Sequence, residues 1–113
     1  MAHETPILKT VTLAGANQNY QLSALLATLD PDIIGQVGQG RCQYLQLQFD
    51  MNAGADLLRI GNADLSDTNF GVVLVGTQAW QMQSVETNLI RTDQIYLRSN
   101  GPAHVVYVAM LVR

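Results

Sequence analysis

From Gln43 to Met51 the side chains alternate without a break, with Leu45, Leu47, Phe49 and Met51 on one parity and Tyr44, Gln46, Gln48 and Asp50 on the other. A repeat of two is that of a pleated strand with one face in a core and the other in water, and no helix accommodates it. The same period recurs along the chain. Ile7, Lys9, Val11 and Leu13 oppose Leu8, Thr10 and Thr12, and shorter strands are expected over Leu57–Gly61, Gly71–Val75, Gln78–Val85 and Gln94–Arg98. Ala103 to Val112 is apolar on both parities, so it is covered on both faces: Val105, Tyr107, Ala109 and Leu111 face away from Val106, Val108, Met110 and Val112.

Turn chemistry separates these segments. Gly15, Asn17 and Asn19 close the first, and Asn52-Ala53-Gly54-Ala55-Asp56 closes the long alternating strand. Ser99-Asn100-Gly101-Pro102 precedes the last, with positive φ expected at Asn-Gly. One stretch breaks the period: Leu22, Leu25, Leu26 and Leu29 recur at spacings of three and four, which predicts a short helix capped by Ser23 and stopped at Asp30-Pro31-Asp32. Seven or eight short strands with one short helix predict an all-β, jelly-roll-like antiparallel β-sandwich, with a closed barrel as the alternative. A chain of 113 residues buries about two-thirds of its surface, enough for one core. The expected organisation is a flexible N-terminal arm over 1–6 and a single sandwich domain over 7–113.

Composition narrows the partners. Charged residues are 13% of the chain, against about 25% in an average domain. Eleven Gln and seven Asn outnumber the fifteen charges, and the only lysine is Lys9. The net charge of −3 with scattered arginines speaks against nucleic acid, and no apolar run is long enough to cross a membrane. No secretory signal is expected from the N-terminal residues, and the single Cys42 excludes an internal disulfide. Protein-covered surfaces are depleted in Lys and Glu, so this amide-rich, charge-poor composition points to a component of an assembly.

No set of residues carries chemistry. His3 and His104 have neither a second His nor a carboxylate at ligand spacing, so no metal is expected. Asp64, Asp67 and Asn69 could offer oxygens to a cation but are also what an Asx-rich turn requires. Cys42 beside Arg41 opens an alternating strand and reads as a packed thiol. Gly35, Gly38 and Gly40 are followed by Arg-Cys and a strand, unlike a phosphate loop. The chain reads as non-enzymatic and without a cofactor. Trp80, on the apolar parity of its strand, reads as core, whereas Tyr44 on the Gln-bearing face is the better contact residue.

The run Leu58-Arg59-Ile60-Gly61-Asn62-Ala63-Asp64-Leu65-Ser66, then a Gly-containing apolar strand and Gln94-Ile95-Tyr96-Leu97-Arg98-Ser99, resembles small virion proteins of tailed bacteriophages. The resemblance spans roughly 40–113, and Arg59, Gly61, Asn62, Ile95 and Tyr96 carry it; Gly76-Thr77-Gln78-Ala79-Trp80 departs from it. It implies a jelly-roll decoration or cement protein that binds the major capsid protein on the outer surface of an icosahedral head and stabilises it. A homo-oligomer is expected, a trimer ahead of a dimer. Contacts are expected from the arm at Glu4, Thr5 and Pro6, from Tyr44, Gln46 and Gln48, and from Val106, Val108 and Met110 on the last strand. The alternative is a carbohydrate- or receptor-binding module of a phage fibre or spike. A cupin-like barrel is disfavoured by two histidines 101 positions apart.

Overall fold

A computed structural model of the chain describes residues 5–29, 41–83 and 90–112. Its strands are β1 (Thr5–Leu13), β2 (Tyr20–Gln21), β3 (Arg41–Cys42), β4 (Tyr44–Phe49), β5 (Leu57–Gly61), β6 (Val72–Val75), β7 (Ala79–Gln83), β8 (Ile90–Arg91), β9 (Tyr96–Ser99) and β10 (His104–Val112). Among the described residues a single α-helix, α1 (Leu22–Leu29), follows β2, and a 3-10 turn covers Thr92–Gln94. The main strands form two antiparallel four-stranded sheets, ordered β1-β10-β4-β7 and β2-β9-β5-β6, and β3 pairs with β8. With the short β3–β8 pair set aside, the first strand lies beside the last, and the chain crosses between sheets at each successive strand except from β5 to β6, which pair within one sheet. This is the jelly-roll arrangement expected from the sequence. It is an open sandwich and not a closed barrel.

The core lies between the sheets. Leu45, Leu47 and Phe49 of β4 and Val106, Val108 and Met110 of β10 meet Leu58 and Ile60 of β5, Leu74 of β6 and Leu97 of β9. Strand β4 carries the alternation in full, with every second residue buried. Leu22 and Leu26, one helical turn apart, seal one side of the core. The helix starts one residue before the expected cap: Leu22 N–H donates to the Ile95 carbonyl at 2.9 Å, so the chain passes from β2 straight into α1 and Ser23 lies inside it. The expected stop at 30–32 and the glycine-rich 35–40 stretch lie outside the described residues.

Other boundaries differ for physical reasons. Thr5 and Pro6 belong to β1, in register with Val112 and Leu111, so the arm as expected over 1–6 is shortened at its inner end. Residues 1–4 lie outside the described residues. Strand β4 ends at Phe49 and not Met51, because the Asp50 carboxylate turns inward to accept from Asn52 N–H at 2.9 Å and Val105 N–H at 3.3 Å. Asp50 is therefore buried and Met51 is exposed, the reverse of their expected sides. Gln94 closes the 3-10 turn instead of opening β9, since Ile95 N–H bonds back to the Thr92 carbonyl. After β9, positive φ falls at Ala103 and not at Asn100-Gly101. Asn100 instead continues the ladder to β5, accepting from Leu57 N–H through its side chain at 2.8 Å.

Candidate interaction surface

Alternation and register decide which side chains leave the core on the β1-β10-β4-β7 sheet. Leu8, Ala109, Gln46 and Gln81 lie in one row across it, and Thr10, Tyr107, Gln48 and Ala79 in the next. Tyr44 shares this face with Leu111 and Gln83, and Val105 with Thr12. Among these outward positions, three each on β1, β4 and β7 and four on β10, no side chain is ionised at neutral pH. Lys9 stands on the opposite parity, in register with Val108. The face is an amide, hydroxyl and apolar sheet in a protein whose net charge of −3 resides elsewhere.

The amides are ordered by one another. Tyr44 OH donates to Gln46 Oε1 at 2.9 Å, Gln81 Nε2 donates to the same oxygen at 3.3 Å, and Gln48 Nε2 donates to the Thr77 carbonyl. Beside them Leu8, Lys9, Leu29, Gln46, Tyr107 and Ala109 line an open groove of about 560 Å³, so one charged side chain borders the otherwise uncharged face. Leu8 is 75% exposed, unusual for a leucine in the middle of a strand.

Of the expected contact residues, Tyr44, Gln46 and Gln48 are brought together here. Val106, Val108 and Met110 are not: they are at most 3% exposed and sit opposite Phe49, Leu47 and Leu45, inside the chain's own core. Sequence parity alone could not orient a strand apolar on both sides; its register with β4 does so, and the outward residues are Val105, Tyr107, Ala109 and Leu111. Thr5 and Pro6 enter at the start of β1, and Glu4 lies outside the described residues. Trp80 is partly buried against the core, as its parity indicated.

The opposite outer face, on β2-β9-β5-β6, is charged, with two arginines drawn to one carboxylate. Arg59 and Arg98 stand side by side in register, Arg98 Nε donates to Asp67 Oδ1 at 2.9 Å, and Arg59 lies 3.6 Å from the same oxygen and over the Phe70 ring. The hydrogen bond from Arg98 holds Asp67 below the usual carboxylate range. Asp64, Asp67 and Asn69 are thus a turn: Asp64 N–H bonds to Asn62, Asn69 N–H to Ser66 Oγ, and Asn69 Nδ2 to the Asp64 carbonyl. Cys42 is buried, and burial pushes its thiol up to about 11, which leaves a packed thiol and not a nucleophile.

One cluster escaped the sequence. His104 is buried between two carboxylates, with Nδ1 3.1 Å from Asp50 Oδ2 and Nε2 2.6 Å from Asp56 Oδ2. Its ring meets Phe49 edge-on at 5.2 Å. Burial disfavours the imidazolium, but the bonds from Asp56 and Asp50 outweigh it and raise the pKa above its ordinary value. Asp50 is lowered by the Asn52 N–H and by His104. Asp50 and Asp56 flank the turn after β4 and His104 opens β10, so the cluster ties that turn to the start of the last strand. No group of three or more His, Cys, Asp or Glu among the described residues has the disposition of a metal site.

Gly101 is part of this arrangement. A Cβ there would lie 2.0 Å from Asp56 Oδ2 and 2.9 Å from His104 Nε2. Gly101→Ala is expected to expel the Asp56 carboxylate, break its bond to His104 and cost about 1.5–3 kcal/mol, the range for a hydrogen bond to a charged group. Urea denaturation measures it, and an unchanged midpoint contradicts the packing described. No family model and no curated protein sequence matches this chain.

Proposed function

We propose that the chain is a non-enzymatic capsid decoration protein that binds the outer surface of an icosahedral phage head and stabilises it. The observation that carries this reading is the uncharged outer face of the β1-β10-β4-β7 sheet, with its row of Gln residues and exposed Leu8. A surface left to water usually carries charge for colloidal repulsion; a surface covered by protein does without it. The jelly roll hosts many functions, so the fold alone contributes only analogy, as does the resemblance of the 40–113 region to phage virion proteins. Weak contacts suffice for such a role because many copies act together on one shell.

A carbohydrate-binding module draws less support. It needs open donors and acceptors around an exposed aromatic ring, whereas Tyr44 OH and Gln46 Oε1 bond to each other. The test is sedimentation of the purified chain with expanded heads that lack their decoration protein, from the phage that carries the gene. The reading predicts saturable co-migration with heads and a higher disruption temperature of the decorated shell. Failure to co-migrate, with binding on a glycan array instead, overturns it.

A further inference from the structure

We propose that the uncharged outer face of the β1-β10-β4-β7 sheet is covered by a second copy of this chain, related by a two-fold axis through the sheet near Gln46. The inference deepens the assembly reading and rests on its premise that this face is protein-covered.

An isologous contact lays one patch on itself, so the patch must be its own complement. At the axis itself a carboxylate or an ammonium fails that condition, because it meets its own copy with the same charge. A primary amide meets it, since each Gln carries both donors and an acceptor, and so do a hydroxyl and an apolar side chain. The outward positions of this sheet hold only those classes. The protein as a whole carries −3, and an uncharged face is where two copies meet with the least repulsion. The opposite sheet is the contrast: its Arg59 and Arg98 share the one carboxylate of Asp67, which leaves positive charge on that face.

Shape agrees with charge. The groove lined by Leu8, Lys9, Leu29, Gln46, Tyr107 and Ala109 and the exposed Leu8 side chain lie on one patch, an apolar projection beside a recess that a single lysine borders. Strand spacing and rise give the face a flat footprint of about 450 Å² per copy. A pair then covers about 900 Å², below the roughly 1,200–2,000 Å² of stable interfaces and within the range of weak, transient ones, so the dimer is expected to dissociate readily on dilution. Two-fold pairing replaces the three-fold assembly that the phage resemblance implied, because a three-fold ring joins two different patches and this face is matched to itself.

The test is sedimentation equilibrium of the full chain between about 1 and 100 µM in 0.15 M salt. The mass is expected to rise from 12.3 kDa towards twice that value. Gln46→Glu keeps the oxygen that accepts from Tyr44 and Gln81, so it leaves the fold intact while bringing two carboxylates together at the axis. Association is expected to weaken at least tenfold with an unchanged melting temperature; Gln46→Lys, which gives up that acceptor, is expected to weaken association alike with a small drop in melting temperature. An equimolar mixture of the two variants is expected to regain dimer, since the opposed charges then pair. Leu8→Ser, which removes the projection, is expected to weaken association several-fold. A wild-type chain that stays monomeric at 100 µM overturns the proposal, as does a trimer, or a dimer that neither Gln46 variant weakens. Head binding is measured separately by co-migration, so failure of self-association and failure of the decoration reading are told apart.

Discussion

Replacing Phe49 by Ala is expected to remove about 3–5 kcal/mol of folding free energy, the range for excising a buried aromatic ring. Phe49 is fully buried at the last position of β4, in register with Val106, and heads the largest side chains of the core. Its ring fills the space between the two sheets and also supports the edge of His104. A domain of this size holds only about 5–15 kcal/mol in total, so the variant loses a large share of its stability. At about 4–8 °C per kcal/mol for small domains, the melting temperature is expected to fall by more than about 10 °C in calorimetry. Met51→Ala is the control. The alternation of the sequence placed Met51 beside Phe49, but it is 64% exposed, so its truncation is expected to change stability by less than about 0.5 kcal/mol. Equal costs at the two positions contradict the end of β4 described above.

The second large effect is expected at His104, both in magnitude and in pH dependence. His104→Leu leaves the buried Asp50 carboxylate with only the Asn52 and Val105 N–H groups as partners. Breaking a buried ion pair from one side costs about 3–5 kcal/mol. The retained backbone bonds, and Asp56 being 40% exposed, bring the expectation near about 2–3 kcal/mol at pH 6. His104 has a raised pKa in the folded chain, so its contribution is complete below the ordinary histidine value near ~6.5 and is lost as pH rises through the raised one. Asp50 has a lowered pKa, so its contribution is present above the ordinary value near ~3.9 and is lost as pH falls through the lowered one. The wild-type chain is therefore expected to be most stable between about pH 4 and 6.5 and to weaken on the alkaline side. Urea denaturation at pH 6 and pH 9 reads both effects. The His104→Leu variant should lose the alkaline decline; the same decline in both proteins assigns it to another group.

These residues also mark what the sequence made legible. The strands were readable because Leu45, Leu47 and Phe49, or Leu58 and Ile60, repeat at a period that only a pleated sheet satisfies. The helix was readable from Leu22, Leu25, Leu26 and Leu29, although its start was set by a backbone bond to Ile95, 73 positions along the chain from Leu22. The Asp50–His104–Asp56 cluster was not readable. Two of its members stand in an apparent turn and the third about fifty positions away, and only the pairing of β4 with β10 brings them together. The same pairing turns Val106, Val108 and Met110 inward, which an apolar sequence on both parities leaves undecided. Gly101 looked like a turn residue, but its small size is required by the Asp56 carboxylate packed against it. Of the candidate surface, Tyr44, Gln46 and Gln48 were legible, because polar residues on an alternating strand face outward. Leu8, Tyr107 and Ala109 joined them only once β1, β10 and β4 were placed side by side.

The central claim is that this protein works by being covered: one uncharged sheet face meets protein, on a shell built of many copies. The most direct measurement is cryo-electron microscopy of expanded, undecorated phage heads, of the kind the proposed decoration role assigns to the chain, incubated with the purified chain. The account predicts added density at symmetry-related positions on the outer surface, into which the jelly roll fits with the β1-β10-β4-β7 face buried against protein. Heads that remain bare, or added density in which that face points into solvent, contradict it.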